Sequence, residues 1–99
     1  MKILALEKDI RPIPDDLRES MLTDEAHAVW QLQQGGVIRE LYFHRDLPQA
    51  ILMLECADVE DARMILGSLP LVKNNYTVFE LLPLAPYPGF ARLFDLGNR

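Results

Sequence analysis

The sequence predicts an α+β domain with the element order β-α-β-β-α-β, and three observations carry that expectation. Four short runs are rich in the aliphatic, β-branched and aromatic residues that suit strands. Two stretches between them place apolar residues at helical spacing behind carboxylate-rich starts. Proline or glycine punctuates most of the junctions. Ninety-nine residues, 49% hydrophobic and 25% charged, fit one domain of ordinary globular composition over 1–99.

Taken in order, Lys2 to Lys8 is an apolar run that stops at Asp9 and Pro12-Ile13-Pro14, because proline has no N–H to give to a ladder. It is the first strand. Asp15, Asp16 and Glu19 then put carboxylates where the unpaired N–H groups of a helix start carry positive partial charge. In that helix Leu22, Ala26, Val29 and Gln33 share the expected core face, flanked by Trp30 and Leu32, while Arg18, Asp24, Glu25 and Gln31 lie toward water. Gly35-Gly36 closes the helix and Val37 to His44 is the second strand. Arg45-Asp46-Leu47-Pro48 is a turn, so Ala50 to Cys56 forms a third strand antiparallel to the second. Asp58 and Asp61 resemble a capping box, and Ala62, Ile65, Leu66 and Leu69 follow the i, i+3, i+4, i+7 pattern of a second helix. Pro70 stops it, Asn74-Asn75 turns the chain, and Tyr76 to Leu82 is the fourth strand.

Two crossovers joined by a hairpin give the ferredoxin-like plan, a four-stranded antiparallel sheet with both helices on one face. The other face is left over. Alternation predicts that Val37, Arg39, Leu41 and Phe43 meet the helices, as do Ala50, Leu52, Leu54 and Cys56. The free face then holds Ile3, Ala5 and Glu7 of strand one, Ile38, Glu40, Tyr42 and His44 of strand two, Ile51, Met53 and Glu55 of strand three, and Tyr76, Val78, Glu80 and Leu82 of strand four. So apolar a patch exceeds what a monomer leaves in water, and a second copy of the same face is the simplest cover. A chain of this size has a modest core, which also favours a homodimer or higher homo-oligomer.

Composition excludes several classes of partner. The net charge of −5, with ten scattered Lys and Arg, offers no basic stripe for nucleic acid or an anionic membrane. The apolar start of MKILALEKD is too short for a signal peptide or a bilayer span, which makes the cytoplasm the expected location. A single cysteine allows no intrachain disulfide. Two histidines and no closely spaced ligand motif argue against a metal, and no phosphate loop, dinucleotide fingerprint or nucleophile elbow is present, so no cofactor is expected.

For chemistry, Glu40 and His44 are the candidate catalytic pair, two steps apart on one strand face, with Tyr42 between them to orient a small-molecule ligand. Glu7, Met53, Glu55 and Glu80 are the further ligand-binding candidates, since a carboxylate removed from water or set beside another holds its proton toward neutral pH. The competing reading makes these glutamates rim carboxylates paired with Arg39, Arg63 or Lys73. His27 reads as structural and Cys56 as a buried thiol. The tail over 83–99 is extended by its prolines yet carries Tyr87, Phe90 and Phe94, and either packs on its own sheet edge or reaches over a partner as an arm, where Tyr87 and Phe90 would close one end of the site.

The chain resembles the dimeric α/β-barrel proteins, and most of all the muconolactone isomerase-like group. The resemblance rests on Glu25-Ala26, Val29-Trp30 and Leu32, on Gly36-Val37-Ile38-Arg39-Glu40, on Leu69-Pro70-Leu71 and on Pro86-Tyr87-Pro88. It implies dimers whose cavity holds a small organic acid or lactone and, in the isomerase, an allylic proton shift without a cofactor. It equally admits a non-catalytic ligand-binding or assembly module, because a fold does not fix a function.

Overall fold

The structure is a computed structural model and describes residues 1–94. The last five positions of the expected tail lie outside the described residues. The elements are β1 (Lys2–Asp9), α1 (Asp15–Gln34), β2 (Ile38–Phe43), β3 (Ala50–Glu55), α2 (Val59–Gly67), α3 (Pro70–Lys73), β4 (Thr77–Pro83) and α4 (Ala91–Phe94). The four strands form one antiparallel sheet in the order β2-β3-β1-β4, which is the ferredoxin-like plan. Among the described residues no helix is long and apolar enough to cross a membrane.

Register decides which residues meet the helices. Ala5 lies opposite Leu52 and Leu81, and Ile3 opposite Leu54 and Pro83, so these positions share the covered face. Leu4 opposite Met53 and Leu82, and Leu6 opposite Ile51 and Glu80, share the open one. The buried core is Ile3, Ala5, Ile38, Leu52, Leu54 and Cys56 beneath Ala62, Leu66 and Leu69. Ile3, Ala5 and Glu7 are therefore on the opposite face from the one expected. Their strand alternates between two sets that are both apolar, so period two gave no polarity to orient it. Ile38 is also corrected to the core. An irregularity between Ile38 and Glu40 takes Arg39 out of the alternation, which sends Ile38 inward while Glu40 and Tyr42 keep the open face.

The first helix is rotated from its expected setting. Met21, Glu25, Ala28, Val29 and Leu32 are its half-buried stripe, whereas Leu22, Ala26 and Trp30 are exposed. Its pattern is the weaker guide because no residue of α1 is fully buried, so no position is apolar by necessity. In α2 the expected cap is present: Asp58 Oδ1 accepts from the Asp61 N–H at 2.7 Å, and Asp61 Oδ2 accepts from the Ala57 N–H at 3.0 Å. Pro70 ends that helix and then starts another. It occupies the first position of α3, where its missing N–H costs nothing, so the expected turn is a short helix.

Candidate functional site

A cavity of about 370 Å³ lies between α1, α3 and the covered face of the sheet. Val29, Leu41, Phe43 and Leu52 give it apolar walls, Glu7 from β1 and Glu25 from α1 bring polar groups into it, and Thr77 from β4 lines it. Arg11 and Arg18 line its exposed side. Apolar walls with a few convergent polar groups are the usual make-up of a small-molecule site.

Each carboxylate is held by one backbone amide. Glu7 Oε1 accepts from the Ala50 N–H at 3.0 Å, and Glu25 Oε1 accepts from the Leu71 N–H at 2.9 Å, which also satisfies a free amide in the first turn of α3. Neither Oε2 has a hydrogen-bond partner among the described residues. Burial pushes the Glu7 carboxyl above its ordinary value, against the Ala50 hydrogen bond and with some help from Asp9. Burial likewise raises Glu25, opposed by the Leu71 hydrogen bond and assisted by the charge of Glu7. The two carboxylates thus sense each other in one poorly solvated space.

Thr77 is 5% exposed, and its hydroxyl has no hydrogen-bond partner among the described residues. A buried hydroxyl left unpaired costs free energy. Arg11 is fixed by two contacts. Its guanidinium sits 4.1 Å from the centre of the Tyr76 ring and donates to the Asn74 carbonyl at 2.7 Å.

The residues singled out from sequence fall on two sides of the sheet. Glu7 lines the cavity; Glu40, Tyr42, Met53, Glu55 and Glu80 lie on the open face, with His44 just past the end of β2. Tyr42 donates its hydroxyl to Glu40 Oε1 at 2.9 Å, and that bond, with the Glu40 charge, raises the Tyr42 phenol above its ordinary value. His44 turns the other way: its Nδ1 accepts from the Asp46 and Leu47 N–H groups at 2.9 and 3.1 Å and so caps the hairpin. Glu55 is bound by the Met1 amine at 2.6 Å, which holds its carboxyl below the usual value, and Glu80 is 3.5 Å from Lys8. Met53 sits between Leu4 and Glu40 in the register. Glu25 and Thr77 were missed. Glu25 carried a faint signal, as the one acid three and four residues from Met21, Ala28 and Val29 on both sides, on a helix whose other acids lie outside that stripe.

Among the described residues no three His, Cys, Asp or Glu side chains are grouped as a metal site requires. No family model matches the chain, and no curated protein is similar enough to match it. Among solved structures the chain is similar to the crystal structure of muconolactone isomerase at 3.3 Å resolution, with a TM-score of 0.76 and 21% sequence identity over 89% of this chain and 92% of that one. At that identity the likeness concerns the backbone. The chain is an α+β protein with the ferredoxin-like fold that muconolactone isomerase also has.

Proposed function

We propose that this protein is a cofactor-independent isomerase-like enzyme that moves a proton within a small organic acid or lactone, and that Glu7 is its base and Glu25 its acid. The observation that supports this reading best is the pair of poorly solvated carboxylates meeting in one apolar-walled cavity. Burial raises both carboxyls, so one of the pair holds a proton while the other takes one; Glu25 is assigned the first role and Glu7 the second. Glu7 takes a proton from a carbon beside the ligand carbonyl, and Glu25 returns one at the far end of the double bond. Arg11 and Arg18 receive the carboxylate of the ligand at the exposed side.

The open face serves assembly in this account. Leu4, Leu6, Ile51, Met53, Val78 and Leu82 form its apolar centre, and Lys2, Lys8, Glu40, Glu55 and Glu80 supply both signs of charge around it. Such a surface is self-complementary about a two-fold axis, so the partner is a second copy.

The test is solvent-deuterium incorporation into muconolactone, followed by proton NMR. Wild-type protein incorporates deuterium, and Glu7→Gln or Glu25→Gln slows this by about 10²–10⁴, the contribution typical of a positioned acid or base. Glutamine keeps the acceptor for Ala50 or Leu71, so the fold is retained. Loss in Glu40→Gln with retention in Glu7→Gln would move the chemistry to the open face between copies. Binding without exchange in any form would make the protein a non-catalytic ligand-binding module.

A further inference from the structure

Beyond Leu84, whose N–H donates to the Lys2 carbonyl at 2.9 Å, the backbone of 85–94 bonds only within itself among the described residues. The consequence is visible in the dimensions. The Cα radius of gyration is 17.1 Å and the longest extent 66 Å, against about 13 Å for the radius of gyration of a compact 100-residue domain. Leu84, Tyr87, Phe90, Leu93 and Phe94 are all exposed along this arm. It is nonetheless shaped: Tyr87 and Phe90 stack edge to face at 5.0 Å, and the Tyr87 ring leaves no room for a side chain at Gly89.

A second unpartnered apolar strip runs along the outside of α1. Leu22, Ala26 and Trp30 recur every four residues, with Thr23 and His27 beside them, and line an open groove. Trp30 is 59% exposed. The exposed side of the helix carries Asp15, Asp16, Glu19 and Asp24 against the single cation Arg18. The one charged residue of the arm over 84–94 is Arg92.

We infer that the C-terminal arm of one copy docks across the Leu22-Ala26-Trp30 strip of α1 in another copy of this chain. Both surfaces are apolar, and their flanking charges are opposite. Three aromatics at 150–250 Å² each give the arm about 450–750 Å² to bury, close to the ~800 Å² per partner of a stable interface. Its own α1 is the less suitable target. The arm leaves β4 at one edge of the sheet beside α2, whereas α1 lies over β2 at the opposite edge. This contact is separate from the open sheet face and meets the cavity only at Leu22, which lines both, so its failure would leave the proposed reaction standing.

Trp30 is the only tryptophan, which makes its fluorescence a direct reporter of the docked strip. Acrylamide quenching is measured on the full chain and on a Tyr87→Ser, Phe90→Ser double variant, with light scattering and circular dichroism on the same samples. Both side chains are exposed, so the variant keeps its far-ultraviolet spectrum. The expected result is a protected Trp30 in the wild type, severalfold more quenchable in the variant, with protection also lost when the wild type is diluted to monomer. Equal quenching of the two proteins overturns the inference, and so does protection that persists in a monomer, since that arm would be lying on its own chain.

Discussion

Glu7 sits at 9% exposure with one carboxylate oxygen bonded and the other left free in the cavity. Its raised carboxyl has a sign that stability reports. A carboxyl whose folded value exceeds its unfolded value contributes stability that is complete below the ordinary glutamate range and is lost as pH rises through the folded value. Melting temperature of the wild type should therefore fall relative to Glu7→Gln as pH is raised from 4 to 8, about the window above ordinary glutamate titration. Parallel curves would mean that Glu7 is not desolvated. Thr77 makes an independent case. Thr77→Val removes an unpaired hydroxyl at nearly constant volume and should raise stability by up to ~1 kcal/mol, as read by thermal denaturation. Neither residue was legible as a site residue in the same way. Glu7 was visible as a charge within an apolar strand, but Thr77 became notable only through burial, which no local pattern encodes.

Among the elements, legibility followed how strongly burial constrained each one. In α2, where Ala62 and Leu66 are buried, the apolar spacing and the Asp58 cap read directly, and Asp58→Ala should cost about 1 kcal/mol in chemical denaturation. In α1 the same method set the wrong face outward, because half-buried positions tolerate Glu25 inside and Trp30 outside. That rotation concealed the cavity, since Glu25 was assigned to water. β1 failed for the converse reason: Ile3, Leu4, Ala5 and Leu6 suit either face, and only pairing with β3 and β4 distinguishes them. The close of α1 was read correctly at Gly36, whose φ of +84° is a left-handed conformation. Space is open at its Cβ position, so Gly36→Ala should cost about 1–2 kcal/mol from backbone strain alone.

For the whole molecule, the β-α-β-β-α-β order was readable because turns and periodicity are local, whereas the site is not. It joins residues 7, 25 and 77 through strand pairing and the packing of α1. Assembly belongs at this scale as well. Leu6→Glu places a charge at the centre of the open face, and light scattering should show it shifting the protein toward the 11.4 kDa monomer without loss of helix or strand signal. The proposed reaction depends on two carboxylates sharing one poorly solvated space. Carbon-13 NMR titration of the side-chain carboxyls measures this most directly. Glu7 and Glu25 should both titrate above the ordinary glutamate value of 4.5, with Glu25 moving down when Glu7 is replaced by glutamine. Two independent titrations at or below that value would contradict it.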